Sequence, residues 1–216
     1  MKKIFFLLWI GLLSITSLRA QFQWGAEAGL NLSYLTTKTS CYARSGAVIG
    51  LNGRYGMGDR WRLQSGLLFS VKGANGVEDR SAEKNYPLLD IRLYYLEIPL
   101  TVAYKIPVTS YARILPEAGI YVACGVGGKA STRENVGEGY LISDWNPFKE
   151  ADSMDGYALK AFERMDAGLR FGLTAEVDKF SLSVNYDLGL WGVHGMLNLP
   201  DNIHNRTTTF TLGYAF

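Results

Sequence analysis

Eight stretches of this chain alternate between apolar and polar residues with a period of two, which is the pattern of β-strands that have two unlike faces. The sixth stretch shows it clearly, with Leu169, Phe171 and Leu173 on one face and Arg170 and Glu176 on the other. A helix would instead repeat its apolar positions three and four residues apart. The predicted strands span 24–34, 47–55, 61–71, 94–106, 112–124, 165–177, 180–190 and 208–216.

Charge is confined to one face of these predicted strands. None of the 49 positions on the apolar face is charged, whereas the other face carries eleven charges. A charged side chain that faces lipid at mid-bilayer costs roughly 2–4 kcal/mol for Arg or Lys, so we expect the uncharged face to contact lipid. The charges predicted to point into the lumen are Glu27, Arg54, Arg62, Glu97, Lys105, Arg113, Glu117, Asp166, Arg170, Glu176 and Asp187.

The glycines of these stretches lie on the same face as the charges, with the single exception of Gly53 on the apolar face. The interior of an eight-stranded barrel is only just wide enough for side chains, so large interior residues need small neighbours. A soluble barrel of the lipocalin type would place its apolar residues inside, where this many would not fit. We therefore predict an all-β fold, an eight-stranded antiparallel up-and-down transmembrane β-barrel with a polar, side-chain-filled lumen.

The first twenty residues have the pattern of an export signal. Lys2 and Lys3 precede an apolar run of about a dozen residues that ends in a small residue, Ala20. An uncleaved anchor helix is the alternative, but the run is shorter than the roughly 20 residues that span a bilayer. We expect a signal peptide at 1–20 and one barrel domain at 21–216. Without residues 1–20, the 22 basic and 20 acidic residues become 19 and 20, a charge of −1 that does not favour nucleic-acid binding.

Connection lengths and aromatic residues predict the orientation of the barrel. The links 56–60, 107–111 and 178–179 are short and predicted to face the periplasm, whereas 35–46, 72–93, 125–164 and 191–207 are long and predicted to face outward. Within 125–164 we expect a flexible start at Gly125–Gly128 and a short helix over 151–164. Aromatic residues at the strand ends resemble the belts at membrane interfaces. They are Trp24, Tyr55, Trp61, Tyr104, Phe180, Tyr214 and Phe216 at one rim, and Tyr34 and Tyr94 at the other.

Three short segments resemble the PorT-like outer-membrane β-barrel family. They are Tyr95-Leu96-Glu97-Ile98-Pro99-Leu100, the ending Thr211-Leu212-Gly213-Tyr214-Ala215-Phe216, and Met165-Asp166-Ala167-Gly168 continuing to Gly172. The resemblance implies an OmpX-sized barrel of the porin-family type, inserted by the outer-membrane assembly machinery. That machinery would read the outward aromatic and apolar residues of the last strand, Phe210, Leu212, Tyr214 and Phe216. One namesake of the family assists a secretion system, but no motif here carries that role over.

The charged lumen is the first candidate for function. Its side chains could line a pore, relay protons or neutralise one another, and buried charges are tolerated when they are paired and hydrogen-bonded. Inward-facing Pro99 removes a ladder donor and predicts an irregularity beside Glu97.

Catalytic and metal sites have weaker support in the sequence. His194, His204 and Asp201 share the last long connection, which leaves a lipid-modifying enzyme open, but no nucleophile motif accompanies them. Cys41 and Cys124 are expected to be separate thiols, although a disulfide is permitted in an oxidising compartment. We expect no catalytic residue, cofactor or metal.

The leading functional hypothesis is a non-enzymatic outer-membrane barrel whose external loops bind a protein partner or support the envelope. The expected partners are outer-membrane lipid, the assembly machinery and a possible protein at the loops, with no nucleic acid. The alternatives are a narrow pore, an accessory of a secretion system, and a rim-located lipid-modifying enzyme.

Overall fold

The computed structural model describes residues 22–36, 40–78, 88–136, 139–148, 150–152, 158–160, 163–191 and 204–216. The predicted signal peptide lies outside these residues, as do His194 and Asp201. The strands are β1 (Phe22–Thr36), β2 (Ser40–Met57), β3 (Trp61–Glu78), β4 (Leu88–Tyr104), β5 (Ile106–Pro107), β6 (Ala112–Val136), β7 (Gly139–Trp145), β8 (Glu150–Asp152), β9 (Ala158–Lys160), β10 (Met165–Val177), β11 (Phe180–Gly189) and β12 (His204–Ala215).

Eight of these strands form a closed antiparallel barrel, as the sequence predicted. Around the barrel the order is β1, β2, β3, β4, β6, β10, β11 and β12. Pairing of β12 with β1, from Gly25–Ala215 to Thr36–His204, closes the ring. Among the described residues, no helix is long and apolar enough to cross a membrane.

Residues point alternately into the barrel and away from it. On β10 the buried positions include Arg170, Thr174 and Glu176, while Phe171 and Leu173 are exposed on the outer face. The same alternation holds on β12, where Thr209 and Thr211 are buried and Leu212 is 69% exposed. The charged face is therefore the concave one, and the apolar face forms the outer wall.

Short turns join the strands at one end of the barrel. Residues 58–60 and 178–179 form two of the turns, and the third link contains β5. Gly58 and Asp178 both have positive φ, of 71° and 51°, which tight turns of this kind require. We call this the turn end and the opposite one the loop end.

Most strands continue further toward the loop end than the sequence predicted. β2 begins at Ser40 rather than residue 47, β4 at Leu88 rather than 94, and β6 ends at Val136 rather than 124. Parts of the four predicted long connections are therefore strand. The apolar alternation stops where the outer wall no longer needs lipid-facing residues, but the hydrogen-bonded ladder does not depend on that alternation and continues.

The connection predicted at 125–164 differs most. Gly125–Gly128 belongs to β6, and the register slips by one residue where Tyr94 and Tyr95 pair with Gly127 and Gly125, a β-bulge. The predicted helix over 151–164 is wrong, because β8 pairs with β9 across 150–152 and 158–160. The backbone groups of these two short strands hydrogen-bond to each other rather than within a helical turn.

Two further local predictions need correction, at Lys105 and at His204, and one at Pro99 is confirmed. Strand β4 ends at Tyr104, so Lys105 follows the strand and lies half-buried at the turn-end rim. The irregularity predicted at Pro99 is present, because the pairing of β4 with β3 passes from Ser65–Leu100 to Leu68–Glu97 without pairs at Pro99 and Ile98, although the register does not change. The Ser65 hydroxyl donates to the Pro99 carbonyl at 2.8 Å. His204 begins β12 rather than lying in a loop.

Candidate functional site in the barrel lumen

The lumen near the turn end contains one acid surrounded by bases, which we call the turn-side layer. Glu176 accepts from Arg54 at 3.0 Å and from both terminal nitrogens of Arg62 at 2.5 and 3.0 Å. Arg113 approaches the same carboxylate at 3.7 Å but is 40% exposed. Arg54 also donates to the Ser181 hydroxyl at 3.1 Å. Three cations therefore share one anion.

Nearer the loop end lies a balanced cluster, the loop-side layer, made of Lys72, Glu97, Arg170 and Asp187. Arg170 donates two hydrogen bonds to Asp187, at 2.6 and 2.7 Å, and also contacts Glu97. Lys72 donates to Glu97 at 2.6 Å and lies 3.7 Å from Asp187. These four residues are at most 5% exposed. Two cations and two anions close a ring in which every charge has a partner, as burial requires.

Aromatic rings line the loop-side layer. The Lys72 ammonium lies 4.9 Å from the centroid of the Tyr121 ring and 5.8 Å from that of Tyr95, both within reach of a cation–π contact. The Tyr121 hydroxyl donates to Asp166 at 3.3 Å, and the Asn205 amide donates to the same carboxylate at 2.9 Å. Asp166 is thus held by neutral donors rather than by a base.

Between the two layers lies a small polar cavity of about 40 Å³. Glu27 accepts from Asn52 at 2.9 Å, and Glu117 accepts from Gln64 and from Thr101. A polar cavity of this volume is large enough to hold water. The two carboxylates here are hydrogen-bonded by neutral side chains, in contrast to those of the layers on either side.

Above the loop-side layer, apolar side chains pack together at the loop end of the lumen. Phe148 is 3% exposed, and its ring packs edge-on against Tyr95 with centroids 5.9 Å apart. Gly125 leaves the space that this ring occupies, since a Cβ there would lie 2.4 Å from the ring. Ile91 and Leu93 are buried beside them. We call these residues the cap, and the turn that carries Phe148 folds inward to complete it.

The structure brings together most of the charges that the sequence pointed inward, and it adds two buried ones, Lys72 and Arg44. Lys105 lies apart at the rim. Lys72 was missed because the predicted strand ended at residue 71. On β3 the even-numbered residues point inward, so extending that alternation by one residue would have identified Lys72 as an inward-facing charge. Arg44, which is buried near the loop end, contacts Asp90 and donates to Asn75 at 2.6 Å, and it too lay in a predicted loop.

The remaining candidates are dispersed or lie outside the described residues. Cys124 is a free thiol on the outer face, and the side chain of Cys41 is outside the described part of the chain. Among the described residues, no group of three or more His, Cys, Asp or Glu side chains could hold a metal ion. The outward residues of the last strand, Phe210, Leu212, Tyr214 and Phe216, are all exposed on the barrel wall.

Solved structures of similar fold include an outer membrane protein. The chain is similar to the outer membrane protein OprG of Pseudomonas aeruginosa, with 12% identity over 91% of this chain and 96% of that one and a TM-score of 0.50. Neisserial surface protein A matches at 15% identity over 90% and 97% of the two chains, with a TM-score of 0.44. The attachment invasion locus protein Ail of Yersinia pestis matches at 14% over 91% and 99%, with a TM-score of 0.42.

Sequence comparison identifies the family directly. No curated protein matches the chain. The family model described as "Outer membrane protein beta-barrel domain" matches residues 17–195, which is most of the chain. With a closed eight-stranded barrel and a mainly apolar outer wall, the chain belongs to the outer-membrane β-barrel domain family.

Proposed function

We propose that this protein is a sealed, non-enzymatic barrel that anchors a partner-binding sheet at the outer surface of the outer membrane. The observation that carries the proposal is the loop-side layer, where Lys72, Glu97, Arg170 and Asp187 join in a buried ring beneath the cap. An open path would require these paired charges to separate inside the lumen, which costs several kcal/mol per ion. The barrel therefore serves as a support rather than a passage.

The part offered to a partner is the sheet that continues past the loop-end rim. Ten residues separate Tyr104 from Tyr94 on β4, which spans about 26 Å for strands tilted by roughly 40°. That length matches the apolar band of about 25 Å in such barrels, so residues 88–93 and the adjoining ends of β2, β3 and β6 project beyond it. Tyr42, 69% exposed on β2, is an aromatic side chain of the kind enriched in binding hot spots.

Single-channel recording in planar bilayers tests the sealed lumen. We expect no steady conductance from the folded wild-type protein, nor from Phe148→Ala, because the ionic layers lie below the cap. Stable channel openings in the wild type would contradict the proposal and favour a narrow pore.

Cross-linked partner capture from native outer membranes tests the projecting sheet. We expect Tyr42→Ser to reduce the captured partner, while Tyr111→Ser, which removes a tyrosine of 56% exposure from the turn end, leaves it unchanged. Equal capture by both variants would contradict a partner site on the sheet. A captured component of a secretion system would extend the PorT-like resemblance to function.

Three finer expectations belong to the same proposal. We propose removal of residues 1–20 on export, and use of the Phe210-to-Phe216 face as an assembly signal. We also propose that the charges of the lumen as a whole neutralise one another rather than relay protons. The amino terminus of the mature protein, expected at Gln21, tests the first of these.

A further inference from the structure

A cavity of about 380 Å³ lies at the turn end of the barrel. The turn at 58–60 forms one side of it, and the link that contains β5 forms the other. A volume of this size is within the range of about 300–1,000 Å³ that small-molecule sites occupy. The polar side chains that line it belong to Asp59, Arg60, Lys105, Thr109, Ser110 and Arg113.

Bases outnumber acids in the lining of this cavity. Arg60, Lys105 and Arg113 carry three positive charges and Asp59 carries one negative charge, which leaves a surplus of two positive charges. The Arg60 guanidinium donates to a neutral group, the Tyr104 hydroxyl, at 2.9 Å. Among the described residues, no carboxylate forms an ion pair with Arg60 or with Lys105. The surplus is therefore not neutralised within the cavity.

Arg113 connects the cavity to the turn-side layer but is only loosely held by it. The acid that it approaches, Glu176, already accepts hydrogen bonds from Arg54 and Arg62. Its own contact with Glu176 is 3.7 Å long, which is longer than a hydrogen bond. The side chain of Arg113 is 40% exposed, and a guanidinium carries five N–H donors. These donors are accessible to a ligand in the cavity.

Two hydroxyl side chains add neutral donors to the same wall. The Thr109 hydroxyl accepts from the backbone N–H of Ala112 at 2.9 Å, so its own proton is available to a ligand. Ser110 is exposed beside it. The apolar side chains of the lining are those of Pro107 and Ala112, which offer little contact to an acyl chain. The cavity therefore suits a polar anion that is soluble in water better than it suits a lipid.

We propose that this cavity binds the phosphate group of a small, water-soluble phosphate monoester on the periplasmic side of the barrel. Such a group carries a charge of about −1.5 to −2 at pH 7, which matches the surplus of two positive charges. An arginine can donate to two phosphate oxygens at once, and a lysine adds a compact positive charge. The cavity is larger than a phosphate group, so it also has room for the organic part of the ester. The periplasmic placement rests on the orientation that the connection lengths predict.

Phosphorus NMR titration of glycerol phosphate with the folded protein, solubilised in a sugar-based detergent, tests the site. We expect the wild type to bind with a Kd in the millimolar range or below. Lys105→Gln should raise the Kd about tenfold, as loss of one charge-assisted contact predicts. The matched control is Lys179→Gln, which removes a cation that lies 5.7 Å from the Tyr214 ring at the same end of the barrel. We expect its Kd to equal that of the wild type.

A second variant should change the Kd in the opposite direction. Asp59→Asn removes the acid from the lining and keeps the size of the side chain. We expect it to lower the Kd about threefold, which is the effect of one exposed charge. Because unfolding cannot tighten binding, this variant tests the site even if Lys105→Gln is unstable.

Competition against glycerol phosphate distinguishes a soluble ligand from a lipid head group. Inorganic phosphate should displace it, because the charge carries most of the recognition. Phosphatidylglycerol added to the micelles should displace no more of it than phosphatidylcholine does. The proposal would be overturned by any of four results: no measurable binding to the wild type, equal Kd values for the wild type and folded Lys105→Gln, an unchanged or raised Kd in Asp59→Asn, or displacement by phosphatidylglycerol.

Discussion

The two ionic layers of the lumen use the same chemistry with different ratios of charge. In the turn-side layer Glu176 accepts from Arg54 and Arg62 and lies near Arg113. In the loop-side layer two bases and two acids share their hydrogen bonds in a ring. The first layer depends on a single side chain, whereas the second can lose one member and keep part of its pairing.

This difference shows that the number of charges in a lumen does not describe how they stabilise it. Removing one partner from a buried group of charges is costly because the others stay buried without compensation. The cost should therefore follow the imbalance left behind, which is greater when Glu176 is lost than when any one residue of the loop-side layer is lost.

Glu176→Gln should have the largest effect. It leaves Arg54 and Arg62, both buried, with no acid in the turn-side layer, and we expect a loss of about 3–5 kcal/mol in the free energy of unfolding. Urea unfolding in lipid vesicles, followed by tryptophan fluorescence, measures it. The control is Glu117→Gln, where neutral Gln64 and Thr101 are the hydrogen-bond donors. Similar losses in both variants would show that imbalance is not the cause.

A double-mutant cycle on the loop-side layer should show a smaller effect. Glu97→Gln leaves Lys72 buried with Asp187 3.7 Å away, whereas Lys72→Met together with Glu97→Gln removes both charges and keeps the Arg170–Asp187 pair. We expect the double variant to be more stable than Glu97→Gln alone, with a coupling energy of about 1–3 kcal/mol. The same unfolding measurement applies, and simple additivity of the two changes would contradict the ring.

The smallest effect is expected for an ion pair outside the membrane. Lys129 lies 2.8 Å from Asp144 on the projecting sheet, and the hydrogen bond from Lys129, with a second from Ser131, lowers the pKa of Asp144 below its ordinary value of 3.8. A lowered pKa stabilises the fold above the ordinary value, and this contribution is lost as the pH falls through the lowered one.

Lys129→Ala should therefore leave stability at pH 7 within measurement error, because solvent screens an exposed pair. Any difference from wild type should become smaller as the pH falls through the lowered pKa of Asp144. Urea unfolding at pH 7 and at pH 2 measures both. A large loss at pH 7, comparable to that of Glu176→Gln, would mean that exposed and buried pairs are equivalent here.

The barrel itself could be predicted from the sequence because the outer and inner faces of its strands lie in very different surroundings. Lipid excludes charge from one face and the narrow lumen needs glycine on the other, so alternation along a strand such as β10 reveals both faces at once. The strand ends toward the loops could not be predicted in this way. Beyond the lipid the outer face has no compositional requirement, and residues of β6 past Cys124 form a strand without its sequence signature.

The partners within the lumen also required the structure. The alternation along each strand indicated that Arg170 and Glu97 point inward. Their contact, however, joins residues 73 positions apart on two strands that do not pair with each other. The position of Phe148 in the cap depends on a chain reversal after β7 and on the space left by Gly125. Neither feature leaves a periodic pattern.

The sequence alone determined the number of strands in the barrel, their inward and outward faces, and the membrane as their surroundings, because each residue's preference for lipid or lumen is local and repeats every second position. Only the tertiary structure decided which acid meets which base and which apolar side chains pack above the loop-side layer. Those contacts depend on the stagger between strands as the ring closes, a property of all eight strands together that no single stretch of sequence contains.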